Sequence, residues 1–559
     1  MEKIFKFFGK EYVNINQAAL LLGLFAFMSQ ILGLLRDRLL AHFIGPGQIL
    51  DIYYASFRIP DFIFISVASL ASITVIIPFL ASRMREGNVT VEAHKFLNDI
   101  FTVFLSALVF VSIIVFFLMP FLVHFITPGF TPLVQGKVVE ISRIMLLSPI
   151  LMGLSNLFGT VTQLFRKFFI YSLSPIFYNI GIIIGIVFFY PFFGIYGLAF
   201  GVITGAFMHF IIQFTSSKQC GFYPQFSFAV DFSNIKSAVL TSFPRTLGLA
   251  MNNLALISII AFASFLKSGS ISIFNLSFNL QSVPLNIIGI SYAVAAFPTL
   301  VKSFSSGKDW EFKDHLKRAA RAIVFWSMPI TFIFIVVRAQ IVRVILGSPT
   351  FSWENTRLVA ASLAVFSISI LAQGMIALLS RAYYAKGDTK TPLLINMFSS
   401  ISIIFLAYGF IHLFKKFIFF RYFIESILKV SDIAGTEVLM LPLAYSCGTI
   451  LNFIIHWYFA KKEFTNGEPF ISKVFFQSLG ASFFAGFIAY LSLNIFSMIF
   501  GTTTFAGIFF QGLISVIFGV LVGAVVLYLL KNEELRDLIN TLKTKFWRAK
   551  ILAPSQEGL

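Results

Sequence analysis

Apolar runs near twenty residues, separated by short polar turns, recur from one end of the chain to the other. A helix needs about twenty such residues to cross the hydrocarbon of a bilayer. The pattern predicts fourteen spans, the first six at 15–43, 49–82, 97–126, 138–165, 168–190 and 195–214. A second six are expected at 235–266, 271–301, 319–337, 358–380, 391–413 and 437–460, and a final pair at 474–500 and 505–530. Barrel strands are about ten residues long and alternate in polarity, so these runs read as helices. The sharpest interruption is SQILGLLRDRLLAHFIGPGQILDIYYASFRIP at 29–60, which sets Arg36, Asp37, Arg38, Asp51 and Arg58 into the first two spans. One charge at mid-bilayer costs about 2.5–3.5 kcal/mol, so most of these five are expected to face a polar cavity inside the bundle.

Composition agrees with the pattern. Of 559 residues 58% are hydrophobic and 12% charged, and the mean hydropathy is +0.89, which no soluble domain resembles. The net charge of +18 fits basic loops beside an anionic leaflet better than nucleic acid, because no basic stripe is interleaved with exposed aromatics. No short apolar core with a small-residue cleavage site follows Lys3, Lys6 and Lys10, so no removable signal peptide is expected. Cys220 and Cys447 are far apart and the seven histidines are scattered, which suggests neither a disulfide framework nor a metal site. The 73 phenylalanines read as lipid-facing filler, not as a cofactor box.

Loop charges give an orientation. Arg83 and Arg85, Arg166 and Lys167, Lys302 to Arg318, Arg381, Lys386 and Lys390, Lys461 and Lys462, and the tail 531–559 fall on one side. The loops GPGQ at 45–48 and GTTT at 501–504 lie on the other, and only 338–357 and 415–429 run against the trend. The bias is roughly three to one and places both termini in the cytoplasm. The chain also repeats. SQILGL at 29–34 returns as PRTLGL at 244–249, and LFRKFF at 164–169 as LSRAYY at 379–384. SFR at 56–58 meets SFN at 277–279, and IIPFL at 76–80 meets AFPTL at 296–300. Six spans separate the copies, so they share one orientation, as in transporters with two parallel bundles around a midplane site. The expected organisation is an N-lobe at 1–215, a cytoplasmic linker at 216–234, a C-lobe at 235–460, two further spans within 461–530 and a basic cytoplasmic tail at 531–559.

These residues resemble the MurJ (MviN) family, the lipid II flippases of the multidrug/oligosaccharidyl-lipid/polysaccharide (MOP) exporter superfamily. The resemblance rests on LGLLRD at 32–37, LDIYYASFRIPD at 50–61, ITPGF at 126–130 and SPIFYNIG at 174–181, then FPRTLGLAMNN at 243–253 and SRAYYAKGDTKTP at 380–392. It implies an all-α polytopic fold with two pseudo-symmetric, MATE-like six-helix lobes, the last two helices forming a groove for a lipid tail. It also implies a flippase of the bacterial cytoplasmic membrane. Such a protein would move a polyprenyl-pyrophosphate-linked peptidoglycan precursor to the outer leaflet by alternating access, with membrane lipids and cell-wall synthesis machinery as partners. The alternatives are another polyprenyl-linked glycan or MOP-type substrate, or a transport-inactive scaffold. No enzyme motif or nucleotide loop is present, and no cofactor is expected, although the membrane potential or a monovalent cation is a plausible source of drive.

The chain departs from that family at three arginine positions, which here hold Gln30, Phe64 and Asn279. Arg36 is retained. In the repeat Arg245 is the partner of Gln30 and Arg58 that of Asn279, so positive charge has exchanged sides of the pseudo-axis.

Arg36 shares a helix face with Gly33 and Ser29 and either holds a pyrophosphate, which a planar guanidinium fits, or makes a structural ion pair. Asp37, about 100° round the helix, is expected to orient an arginine, and Arg38, about 200° away, to snorkel. Arg58 precedes Pro60, and the pair suits a gate or a packing kink. Arg245 beside Pro244 has the same two readings. Asp51 is either a cap on the start of its helix or a gating group. Asp388 caps the eleventh span or binds a coupling cation. Arg166, Lys167, Arg381 and Lys386 read as cytoplasmic anchors.

Overall fold

The computed structural model describes residues 15–68, 84–85, 88–165, 167–465 and 471–546. Among them the chain is helical throughout, apart from a two-residue antiparallel pairing of Met84–Arg85 with Asn88–Val89 and one isolated bridge between Ser348 and Phe351. Eleven helical segments are long and apolar enough to cross a membrane, from Val91–Ile126 to Phe505–Leu529. Trp353–Ser367 with Ile370–Ala385, a bent pair, makes up to twelve. The protein is an all-α polytopic membrane protein.

The expected count of fourteen is not reached among the described residues. The first two expected spans lie outside that count. The first, Ile15–Phe43, forms one helix over its whole expected length, with Arg36, Asp37 and Arg38 in its C-terminal half. The second stops being a single helix. It runs as Gln48–Ser56, then Arg58–Ile63, then one wide π turn at Phe64–Ala68, and residues 69–82 lie outside the described residues.

Pro60 explains the break at Phe57. It has no N–H for the carbonyl four residues back, and its ring crowds that carbonyl. The carbonyl is that of Ser56, which instead accepts a hydrogen bond from Ser142 Oγ at 3.2 Å on the helix Pro132–Met145. The Ser56 hydroxyl turns back to Ile52 O at 2.8 Å. A carbonyl freed inside an apolar bundle is thus satisfied by a neighbouring helix, as a low-dielectric interior requires.

Packing divides the chain into two compact units. One comprises 1–283, 345–366 and 387–452, and the other 284–344, 367–386 and 453–559. In the first unit the spans Phe168–Phe193 and Ile195–Gln219 meet along glycines four residues apart. A Cβ on Gly181 would stand 2.2 Å from Gly205 Cα, one on Gly185 2.3 Å from Gly201 Cα, and one on Gly197 2.4 Å from Phe189. Only residues without a side chain allow this approach, the small-xxx-small packing of membrane helices. The second unit is built on a core that includes Phe312, Leu316, Ile323, Leu378, Leu379, Tyr383 and Phe464. There Gly519 and Gly523 of Phe505–Leu529 lie against Ala485 of Ser472–Phe500. The start of the expected basic tail is a helix, Glu533–Phe546, whose opening acidic turn binds Arg321: Glu533 and Glu534 each accept from it at 2.5 Å.

Candidate functional site: a polar cavity on the first helix

Within the first unit, a cavity of about 150 Å³ is lined by Ser29, Gln30, Gly33, Leu34, Arg36 and Asp37 of the first helix, with Asn179, Asn279 and Ser282. Arg36 donates from Nε and Nη2 to Asp37 Oδ1, at 3.0 and 2.9 Å. Its Nη1 reaches Asn179 Oδ1 at 3.4 Å. The other carboxylate oxygen, Asp37 Oδ2, accepts from Asn279 Nδ2 at 3.0 Å. Asn179 donates in turn to Ser29 Oγ at 3.3 Å and to Pro175 O at 3.1 Å. Gly33 leaves room for this network, since a Cβ there would sit 4.0 Å from Asn179 Oδ1.

Exposure differs between the two charges. The Asp37 side chain is 3% exposed and that of Arg36 is 23%. A buried carboxylate is tolerable because both of its oxygens are hydrogen-bonded and its charge is paired. A guanidinium has five N–H donors, and the network engages three of the five on Arg36. Arg36 is itself one of the residues that line the cavity. Asp37 therefore orients Arg36, and the small-residue face of Ser29, Gly33 and Arg36 forms the cavity wall. Gln30 and Asn279 line the same space.

Arg38 turns away from the cavity, its Nη1 at 3.5 Å from the carbonyl of Ile345. Arg58 is also separate. It donates from Nη2 to Asn275 Oδ1, while its buried Nε has no partner. Arg58 is not among the residues of a second cavity, of about 180 Å³, that its neighbours Phe57, Pro60, Asp61 and Phe64 line with Ser148 and Tyr178. Phe64 thus faces a different cavity from Gln30 and Asn279.

Asp51 does not cap its own helix, whose start has no side-chain cap. It caps another. Its Oδ2 accepts from Gly269 N at 2.6 Å, and its Oδ1 from Ser272 N at 2.8 Å and Ser272 Oγ at 2.5 Å. These donors open the helix Ser270–Pro284, where N–H groups lack intrahelical partners and a negative charge is favoured. Asp388 accepts from Lys390 N at 2.9 Å and Thr391 N at 3.1 Å, the geometry of a cap on Lys390–Lys416. Partial desolvation pushes this carboxyl up, but the bonds from Thr391 and Lys390 outweigh it and hold the group below the usual range.

Arg245 lies in the helix Phe232–Ser264, but its side chain falls outside the described residues, as does Arg166. Lys167 is buried. Arg381 donates to Ala377 O at 2.9 Å. Lys386 sits 4.6 Å from the centre of the Phe464 ring and 3.4 Å from Glu463.

Residues 40–511 match the family described as lipid II flippase MurJ. The chain belongs to that family. Among curated relatives, the probable lipid II flippase MurJ of Rhizobium tropici is 26% identical over 394 residues, 69% of this chain and 72% of that protein. A solved structure of lipid II flippase MurJ in an inward closed conformation aligns with a TM-score of 0.71 at 20% identity, covering 93% of this chain and all of that one. An inward-facing multidrug resistance MATE family transporter of the MOP superfamily aligns at 0.61 and 12% identity, over 78% of this chain and 95% of that one. The fold is that of the MOP superfamily.

Sequence reading missed Asn179, Asn275 and Ser272, which hold the two arginines and Asp51. A signal for the first was present, because Asn179 stands in the quoted segment SPIFYNIG, four residues after Pro175 in an otherwise apolar span.

Proposed function

We propose that the protein carries lipid II, a polyprenyl-pyrophosphate-linked peptidoglycan precursor, from the inner to the outer leaflet of the bacterial cytoplasmic membrane. The observation that carries this reading is the Arg36–Asp37–Asn179–Asn279 network beside a cavity in an apolar helical unit, in a chain of this family. A polar head group needs a wet, donor-lined path, while the lipid tail stays in hydrocarbon. Arg36 meets a phosphate oxygen with its free N–H groups, and Asp37 holds its plane. Two repeated lobes alternate in opening to either side, both termini are cytoplasmic, and the final two spans carry the tail. Cell-wall synthesis machinery receives the product. Charge crossing the field carries about 2.3 kcal/mol per unit per 100 mV, which is enough to bias the cycle.

The decisive test is rescue of a bacterium depleted of its own lipid II flippase, with expression checked by immunoblot. Growth supports the reading. Failure at normal expression favours a second reading, another polyprenyl-linked glycan, for which Gln30, Phe64 and Asn279 in place of arginines are the specific support. Reconstituted lipid movement separates both from a transport-inactive scaffold.

A further inference from the structure

The loop after the span Lys390–Lys416 contains a short helix, Ile418–Leu428, of sequence IFFRYFIESIL. At about 100° per residue its positions divide into two faces. Arg421, Ile424, Glu425 and Leu428 fall on one side. Ile418, Phe419, Tyr422, Phe423 and Ile427 fall on the other, with Ser426 among them and no charge, while Phe420 lies at the border, half-buried against Phe410.

The first face is fastened to the protein. Glu425 is 1% exposed and accepts from Arg421 Nε at 3.0 Å and from Thr436 Oγ1 at 2.6 Å. Beyond the helix, Lys429 takes a left-handed conformation (φ 59°) that reverses the chain. Arg357 holds that reversal with bonds to both Asp432 oxygens, at 2.6 and 2.7 Å, and one to Lys429 O. The outer face therefore has a fixed direction and cannot roll inward. Its residues are 83% (Phe419), 69% (Ile418), 59% (Tyr422 and Ile427) and 53% (Phe423) exposed.

A contiguous apolar face of this kind is not left to water. Two observations name what covers it. The helix follows directly on a membrane span whose own Phe405 and Tyr408 are exposed. The face is also bracketed by exposed Lys415 and Lys416 before the helix and Lys429 after it. An apolar face flanked by lysines, with an aromatic hydroxyl among its residues, matches a helix lying in the lipid headgroup layer. This also accounts for the basic cluster at 415–429, which runs against the loop-charge trend: the lysines meet anionic headgroups and do not report a cytoplasmic side.

We infer that Ile418–Leu428 is an interfacial helix, buried by its Phe419 face in the leaflet at the C-terminal end of the span Lys390–Lys416, with Lys415, Lys416 and Lys429 on anionic phospholipid headgroups. The test uses the full chain with Cys220 and Cys447 replaced by Ser and a nitroxide on Phe419→Cys, in nanodiscs containing phosphatidylglycerol. Its collision rates with oxygen and with a water-soluble nickel chelate are compared with those of Lys308→Cys. A severalfold higher oxygen-to-nickel ratio at 419 is expected. A ratio equal to that at 308 overturns the proposal, as does dipolar broadening that marks a second copy on this face. Ile427→Cys, on the same face, repeats the measurement if the first variant does not fold.

Discussion

Asp37 and Asp51 sit fourteen residues apart, both almost wholly buried in the same unit, and are held in opposite ways. Asp51 is bound by two backbone N–H groups and one hydroxyl at the start of a helix. Backbone donors cannot leave without unwinding the helix, so this carboxylate is part of the frame. Asp37 is bound only by side chains, and one of them, Arg36, reaches a cavity. Side chains can change rotamer and partner. Two equally buried acids thus separate into a fastener and a working part according to whether their donors are backbone or side chain.

The sharpest way to break this distinction is at Asp51. Asp51→Ala should cost about 3–5 kcal/mol of stability, because buried donors lose a charged acceptor, and the protein should be depleted from membranes. Asp51→Asn keeps an acceptor and should lose clearly less, read as the unfolding midpoint in detergent. Near-normal levels of Asp51→Ala would remove the fastener role.

At the other acid, the double change Arg36→Gln with Asp37→Asn removes both charges and leaves groups that can still hydrogen-bond. Levels should stay near normal while the proposed transport falls by about 30-fold or more, the equivalent of about 2 kcal/mol of lost charge-assisted binding. Equal loss of level and transport would make Asp37 a fastener too.

Arg245→Ala tests whether the charge absent at Gln30 is supplied from the repeat. It should abolish transport at normal protein levels, and adding Gln30→Arg should restore part of it. No recovery would count against exchange across the axis, and full activity of Arg245→Ala alone would reduce that arginine to packing.

Asp388 should give the smallest effect. Its carboxyl is held below the ordinary range, so its contribution is complete above that range and is lost as pH falls through the lowered value. Asp388→Asn should cost about 0.5–1 kcal/mol and flatten the acid limb of the stability profile. It should leave any cation dependence of transport unchanged; loss of that dependence would make Asp388 a ligand.

Most spans were legible because hydropathy is summed locally, and the charges of the first two stood out against it. The partners of those charges were not legible. Asn179 lies 143 residues from Arg36, Asn275 lies 217 from Arg58, and Gly269 lies 218 from Asp51. A neutral amide in an apolar helix barely changes its hydropathy, and only the fold brings it to the charge. The break at Phe57 was partly legible. Pro60 announced a kink, but the rescue of the Ser56 carbonyl by Ser142 depends on a helix 86 residues away.

The glycine seam between Phe168–Phe193 and Ile195–Gln219 has a mechanical consequence. Along these glycines backbone rests on backbone, with few rotamers to loosen and few side chains to compress, so along the seam the two spans behave as one plank. A plank of about 25 residues is about 38 Å long. One methyl group inserted at its middle, as in Gly185→Ala, must wedge the rods apart, and the angle so opened grows into a far larger displacement at the ends.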